Sequence, residues 1–343
     1  MKRSQWKWLF ISISFSAIVL AAVLFFTFDD KTVEYLARIS PAFLLLGLFS
    51  HVFALVCWAL RIRMMAGSLG YRVRLWHCFN LVCANMLVAA ITPSQAGGEP
   101  VRIHELYRAD VKIGDATAIV IMERILDGIV LGAGGAFAML FLGSYWSSLA
   151  SSIAIIMYIS WIAITLFVLI FVYSVKNPDF LKRLLKRVSA WIDRRWKMKR
   201  LDHLFETVDR EVDNFNDSLV RFVNHGRGGL FWGALFTGIF WFCEFIIASL
   251  LLIGLGESPY FIESFVVQLI IAVIMMMPLT PGGSGVAEVS ATSLYGLFVS
   301  TSIVGVLILL WRLILFYFNI VIGVLASFSI VRREIILRTL KLR

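Results

Sequence analysis

Charge is what this sequence has least of. Asp, Glu, Lys and Arg make up 16% of its 343 residues, against 60% for the apolar types, and the mean hydropathy is +0.85. A soluble globular chain carries about a quarter of its residues as charges, so a soluble domain is excluded. Strict apolar–polar alternation is missing too. A membrane barrel strand alternates over about ten residues, and these runs do not. Backbone polar groups in lipid must be bonded within the protein, which leaves helices. The four cysteines, Cys57, Cys78, Cys83 and Cys243, all lie in apolar stretches without disulfide or zinc spacing, and read as small buried hydrophobes. His77, His104, His203 and His225 form no metal spacing, and His51 reads as a hydrogen-bonded packing residue. A Gly-x-Ser-x-Gly elbow, a Walker loop and a Rossmann fingerprint are all lacking. No ATP engine, cofactor or enzymatic activity is expected. The apolar run after MKRSQWKWLF is too long for a signal-peptide core and has no small-residue cleavage site, so it reads as an uncleaved first span.

What is present is a set of apolar runs near the ~20 residues that a bilayer requires. Full spans are expected at about 8–28, 42–60, 119–143, 151–175, 230–253 and 303–330. Two further stretches, about 75–91 and 263–279, run into Thr92-Pro93 and Thr280-Pro281 and then into glycines, which stop a helix. Broken helices at membrane depth are tolerated only where protein buries them or they line a cavity.

The net charge of +10 follows the loops rather than a nucleic-acid surface. Lys2, Arg3 and Lys7 flank the first span, Arg61, Arg63, Arg72 and Arg74 follow the second, and 176–228 and the tail after Val331 are basic. By the positive-inside rule both termini are cytoplasmic in a cell membrane. The segments 75–118 and 263–300 must then each leave and return on one face, the first on the cytoplasmic side and the second on the external side. Two re-entrant hairpins, or two pairs of short crossings, satisfy this equally. In the linker, Leu204, Val208, Val212, Phe215, Leu219 and Phe222 predict an amphipathic helix, and Trp191 and Trp196 among basic residues read as interfacial.

The two breaks share a pattern. Thr92-Pro93-Ser94-Gln95-Ala96-Gly97-Gly98-Glu99 and Thr280-Pro281-Gly282-Gly283-Ser284-Gly285-Val286-Ala287-Glu288 both read Thr-Pro, small residues, glycines, glutamate. Arg124 follows Pro93 by 31 residues, and Arg312 follows Pro281 by 31. The expected fold is therefore an all-α polytopic membrane protein of about six full spans plus two re-entrant broken-helix hairpins in an inverted repeat. Its units are an N-terminal span and external loop (1–41), repeat 1 (42–143), a span and cytoplasmic linker (144–229), repeat 2 (230–330) and a basic cytoplasmic tail (331–343). Inverted repeats of this kind carry midplane binding sites in secondary transporters.

A charge inside a span costs at least about 2.5–3.5 kcal/mol, so it is rare and usually functional. Arg124 and Arg312 are the candidates to receive an anion, because guanidinium donors match phosphate oxygens. Thr92, Pro93, Gly97, Gly98, Thr280, Pro281, Gly282, Gly283 and Gly285 would form the cradle, with helix N-termini beginning near Val101 and Val286 adding positive potential. Glu99 and Glu288 would pair with the arginines or carry a coupling proton, and Glu123, Asp127 and Glu244 would support the site. A purely structural locking of the hairpins by Arg–Glu pairs is the competing reading.

The segments Thr92–Arg102 and Glu123–Asp127, the run Met277–Glu288 and Arg312 resemble the lysylphosphatidylglycerol synthase transmembrane family, also called flippase-like domain proteins. The likeness covers nearly the whole chain, with Ser94-Gln95-Ala96 standing where the resemblance leads one to expect a plainer Pro-Gly. In multidomain relatives this region is the lipid flippase half, and a separate soluble domain transfers lysine, so lysyl transfer is not expected here. The resemblance implies ATP-independent movement of an anionic phospholipid or polyprenyl-phosphate lipid. Alternatives are an accessory subunit of a lipid- or glycan-pathway transferase and a small-anion transporter. Nucleic acid is not an expected partner.

Overall fold

The computed structural model describes residues 30–92, 97–146, 227–275, 280 and 282–341, with 14, 17–22, 24, 25, 162, 165, 166, 173 and 222. Most of the expected spans 8–28 and 151–175, nearly all of the linker, and Pro93 and Pro281 lie outside the described residues. Of the linker's predicted apolar face, Phe222 is described, helical and buried against the core formed by residues 54–126.

Among the described residues the secondary structure is entirely helical. The first set is α1 (Asp30–Arg38), α2 (Pro41–Ser68), α3 (Leu75–Ala90), α4 (Gly98–Tyr107) and α5 (Ile113–Trp146). The second is α6 (Arg227–Gly254), α7 (Phe261–Met275), α8 (Val286–Tyr295) and α9 (Thr301–Arg312), the last continuing through a π-helical turn (Leu313–Tyr317) into α10 (Phe318–Lys341). Pro41 sits in the first turn of α2, where its missing N–H would have had no helical partner anyway. Among the described residues three stretches are long and apolar enough to cross a bilayer: Pro41–Ser68, Gly228–Gly254 and Thr301–Ile330. α3 and α7 are shorter apolar helices of 16 and 15 residues. The expected span 119–143 falls within the 34-residue α5, with Glu123, Arg124 and Asp127 in its first half.

The exterior is unlike a soluble protein's. Phe49, Trp76, Phe137, Phe231, Phe242, Phe261 and Phe328 are exposed, while Arg61, Arg102, Glu123, Glu288 and Arg312 are buried. Apolar surface on the outside is stable only against hydrocarbon, and buried charges persist only when paired.

α2 and α6 form the central contact and run antiparallel. Ser40 N–H donates to Gly254 O (2.8 Å), and Ser50 Oγ–H to Cys243 O (2.9 Å). At the other end a Cβ on Gly229 would strike Ser68. Each half also has its own core. One is built on Ala54–Ala66, Cys78–Val82 and Leu106–Leu126. The other is built on Ile247–Leu255, Val266–Ile271, Ala287–Val299 and Ile303–Ile314.

Both broken segments double back on themselves. In the first, His77 Nε2 near the start of α3 lies 3.0 Å from Glu105 O near the end of α4, and Gly98 at the start of α4 abuts Asn85. In the second, Gln268 Nε2–H donates to Tyr295 OH (3.0 Å) and Gly283 abuts Met275. Each is therefore an antiparallel helical hairpin. α4 starts at Gly98, not near Val101, which places Pro100 in its first turn, where a helix accepts it. α8 starts at Val286 as expected.

Candidate functional site

The two hairpin tips meet. Gly282 N–H donates to Thr92 O across the contact (3.2 Å). Gly282 has φ +58°, and a Cβ there would lie 2.5 Å from the Ala90 carbonyl oxygen. Backbone conformation and close approach thus both require glycine at this point. The first break is stitched by Thr92, whose hydroxyl donates to Val88 O (2.9 Å) and accepts from Gly97 N–H (3.1 Å). Gly97 has an ordinary right-handed backbone (φ −67°) and is needed for close packing instead, since its Cβ would strike the Thr92 side chain. Gly282, Gly283 and Gly285 all have positive φ, giving the second break the left-handed turns of a glycine nest.

The paired arginines and glutamates of the sequence pattern do come together. Arg124 Nε–H donates to Glu99 Oε1 (2.7 Å), and Arg312 Nε–H to Glu288 Oε1 (2.8 Å). Their surroundings differ. Glu288 is fully buried and Arg312 nearly so, at 3% exposure. Arg124 and Glu99 keep 33% and 39% of their side chains exposed. Glu288 also accepts from Gly285 N–H (2.7 Å), at the N-terminus of α8. The positive helix end expected to receive a ligand is therefore neutralised by the protein's own carboxylate. Arg312 further approaches Ser284 Oγ (3.5 Å) and stacks over Phe316, 4.3 Å from its centroid.

A second network joins α2, α4, α5 and α6. Glu123, fully buried, accepts from Arg61 Nε–H (2.9 Å), Arg102 Nη1–H (2.7 Å) and Trp58 Nε1–H (2.8 Å). Asp127 accepts from Arg61 Nη1–H (2.7 Å) and Trp241 Nε1–H (3.1 Å), and lies 3.7 Å from Arg124 Nη1. By sequence, Arg61 is a cytoplasmic flank charge. The structure corrects this: Arg61 is buried and Arg63 is the exposed one. The helical spacing was the available signal, because Trp58, Arg61, Ile62 and Met65 share one buried face of α2. Arg102 and Trp241 escape a sequence reading as partners because their neighbours are distant along the chain.

Both repeat-matched arginines open onto one cavity of about 220 Å³ at the hairpin tips. Its polar wall is Arg61, Asn85, Arg124, Asp127, Glu244, Gln268, Arg312 and Asn319, with Trp58, Trp241 and Trp311 among the aromatic lining and Gly282 at its edge. Asn85 Oδ1, which packs against Gly98, and Trp311 Nε1 are buried without a hydrogen-bond partner among the described residues. Beside it lies an apolar groove of about 510 Å³ between α5, α6 and α7, lined by Gly134, Phe137, Phe242, Ile246, Phe261 and Phe265. Phe245 belongs to both walls.

Of the predicted residues, Arg124, Arg312, Asp127, Glu244 and Gly282 line the cavity. Glu99, Glu123 and Glu288 stand behind it, each bonded to an arginine. Thr92, Gly97, Gly98, Thr280, Gly283 and Gly285 shape the breaks, and Thr280 O accepts from Gly283 N–H (3.2 Å). Among the described residues no cluster of His, Cys, Asp and Glu is arranged to hold a metal ion. The cysteines are free, with Cys57, Cys78 and Cys83 buried and Cys243 half-buried.

Residues 9–323 match the sequence profile described as the lysylphosphatidylglycerol synthase TM region. A UPF0104 membrane protein of Archaeoglobus fulgidus is 32% identical over 329 residues, covering 95% of this chain and 98% of the relative. A UPF0104 membrane protein of Methanocaldococcus jannaschii is 24% identical, covering 93% of this chain and 94% of the relative. One of Pyrococcus horikoshii is 23% identical, covering 84% and 86%. With its apolar helices and apolar exterior, the chain is an integral membrane protein.

Proposed function

This chain belongs to the lysylphosphatidylglycerol synthase transmembrane-region family, and from that premise we propose that it is an ATP-independent translocator of an anionic, phosphate-bearing lipid. The observation that carries this reading is the adjacency of two unlike spaces that share Phe245 in their walls. One is a polar chamber with accessible cationic charge at Arg124, and the other is an apolar groove between α5, α6 and α7. A soluble anion needs only the chamber. An amphiphile, with a charged head and an apolar tail, uses both.

In this reading Arg124 meets the phosphate, because a third of its side chain is exposed and its partner Glu99 is equally open. The buried Arg312–Glu288 pair holds the second hairpin in place and gives the chamber a polar wall. Trp311 and Gln268 belong to the wall around the head.

An inverted repeat in the membrane is part of the same proposal. The four-helix order 28, 16 and 10 residues and a long helix in the first set is followed by 28, 15 and 10 residues and a long helix in the second. The antiparallel course of α2 and α6, the leading helices of the two sets, supports opposite orientations. α4 and α8, of 10 residues, extend about 15 Å, half of a ~30 Å hydrocarbon core. That favours re-entrant hairpins entering from opposite faces over short full crossings. The loop charges support a cytoplasmic location for both termini.

The test is reconstitution of the full chain in proteoliposomes carrying tail-labelled phosphatidylglycerol, with leaflet exchange read by quenching from outside. Exchange in wild type and its loss in Arg124→Ala, with the folded fraction unchanged, supports the proposal. Absence of lipid exchange together with a co-purifying transferase would point to an accessory subunit. Uptake of a soluble phosphodiester without lipid exchange would point to a small-anion transporter. Either result overturns the lipid reading.

A further inference from the structure

His51, on α2, is buried between the two halves of the molecule and both its ring nitrogens face oxygen. Nδ1 lies 2.7 Å from Glu244 Oε1 on α6, and Nε2 lies 2.9 Å from Asn319 Oδ1 on α10. Glu244 and Asn319 both line the cavity. The Asn319 amide is oriented by its own Nδ2–H, which donates to Leu315 O one turn back (2.8 Å). The atom presented to His51 is therefore a carbonyl oxygen, which can only accept. Nε2 must carry a hydrogen. The ring cannot rotate away from this arrangement freely, since Phe318 packs edge-on against it with centroids 6.1 Å apart.

With Nε2 protonated, the contact at Nδ1 counts protons. Either Nδ1–H donates to a carboxylate, or a protonated Glu244 donates to a neutral imidazole. The two forms hold the same number of protons, and the pair is neutral in both. Removing one proton leaves an imidazole lone pair facing a carboxylate oxygen at 2.7 Å, an arrangement with no hydrogen to bridge it. The contact exists only while that proton is bound, and its loss puts one negative charge on the cavity wall.

The surrounding charges make that proton consequential. The groups around the cavity are Arg61 on α2, Glu99 and Arg102 on α4, and Glu123, Arg124 and Asp127 on α5. Glu288 on α8 and Arg312 on α9 complete them, with Glu244 itself on α6. The neighbouring Cys243 and Tyr317 are neutral in their ordinary protonated forms. That is four arginines against five carboxylates. The set is electroneutral with the His51–Glu244 proton in place and carries one net negative charge without it. An arriving phosphodiester meets a neutral wall in the first state and a repelling one in the second.

We propose that the His51–Glu244 pair, oriented by Asn319, is a proton-binding site coupled to the cavity, so that the anionic ligand enters together with a proton. This rests on the anion-binding reading above and adds its coupling ion. By sequence alone Glu99 and Glu288 would pair with the arginines or carry a coupling proton. The structure commits both to arginines and, among the described residues, pairs Glu244, 13% exposed and on the cavity wall, with His51. Linkage is reciprocal. Ligand affinity is greatest at low pH and falls by up to about tenfold per pH unit once the pH exceeds the point at which the unliganded pair loses its proton.

The experiment is calorimetric titration of the purified full chain with dihexanoyl phosphatidylglycerol. It is run in two buffers of different ionisation enthalpy from pH about 5 to about 9, the range in which histidine can titrate. Wild type should take up close to one proton per lipid where the free pair is deprotonated. Glu244→Gln, whatever its affinity, should lose both the proton uptake and the pH slope, because its amide can donate to Nδ1 without a proton. Asn319→Asp, which places a carboxylate at Nε2, should move the slope to higher pH. Lipid binding without proton uptake in wild type, or an unchanged slope in both variants, overturns the coupling while leaving the anion reading intact. No lipid binding at any pH overturns both. Glycerophosphoglycerol, the same head without tails, separates a lipid site from a soluble-anion site. Proton uptake with this compound at equal affinity keeps the coupling and refutes the lipid assignment.

Discussion

Two arginine–glutamate pairs with nearly the same spacing should respond very differently to removal of the arginine. Arg312 and Glu288 are 3% and 0% exposed, and Arg124 and Glu99 are 33% and 39% exposed. Breaking a buried pair leaves an uncompensated charge and costs about 3–5 kcal/mol. An exposed pair contributes about 0–1 kcal/mol. Arg312→Ala should therefore be at least about 2 kcal/mol less stable than Arg124→Ala, more than a tenfold difference in folding constant. Lost stacking on Phe316 widens the gap. The assay is denaturant unfolding in mixed micelles at fixed protein concentration, followed by tryptophan fluorescence. A control separates lost charge pairing from lost packing. Arg312→Met combined with Glu288→Gln removes both charges, and the amide oxygen that replaces the carboxylate can still accept from Gly285 N–H. The double variant should recover most of the deficit, since buried ion pairs replaced as a pair are often neutral. Equal destabilisation of the two single variants would refute the claim that Arg124 faces an open chamber. A double variant no better than Arg312→Ala would refute the electrostatic explanation of the deficit.

Three further outcomes are expected. Gly282→Ala forces a side chain into φ +58° and toward the Ala90 carbonyl. It should lower thermal stability by at least about 1 kcal/mol and slow lipid exchange; a wild-type melting profile would show that the hairpin tips do not touch. Glu123→Ala removes the carboxylate that pairs with the buried Arg102, and should cost about 3–5 kcal/mol by the same unfolding assay; a loss below about 1 kcal/mol, the range of a solvated pair, would mean that this network is open to water. Ile246→Trp narrows the apolar groove beside Phe245. It should reduce exchange of long-tailed phosphatidylglycerol while leaving binding of the dihexanoyl form unchanged, and equal effects on both would remove the groove from the lipid's path.

Much of the architecture was legible because its signals are local. Apolar runs without alternation fixed the helical class, and Thr-Pro followed by glycines marked both breaks, which the structure turns into antiparallel hairpins. The Pro-to-Arg interval of 31 residues found two arginines that do share a cavity. What the pattern hid is the difference between them. The same spacing yields a solvated pair at Arg124 and a buried one at Arg312, because exposure depends on which other helices cover each site. His51 is hydrogen-bonded, as its apolar setting implied, but its partners lie 193 and 268 residues away and left no mark in its neighbourhood. Arg61 looked like a loop charge because sequence position near a span's end cannot tell an inward turn from an outward one.

The sequence alone determined that this chain lies in a membrane as helices and that two of its hydrophobic stretches are interrupted, since hydropathy and the conformational limits of proline and glycine act over a few residues at a time. Tertiary structure alone decided which charges face one another, which remain open to a ligand, and that His51 meets Glu244. Those outcomes follow from helix packing between residues far apart in the chain, where distance and burial, not residue type, set the electrostatics.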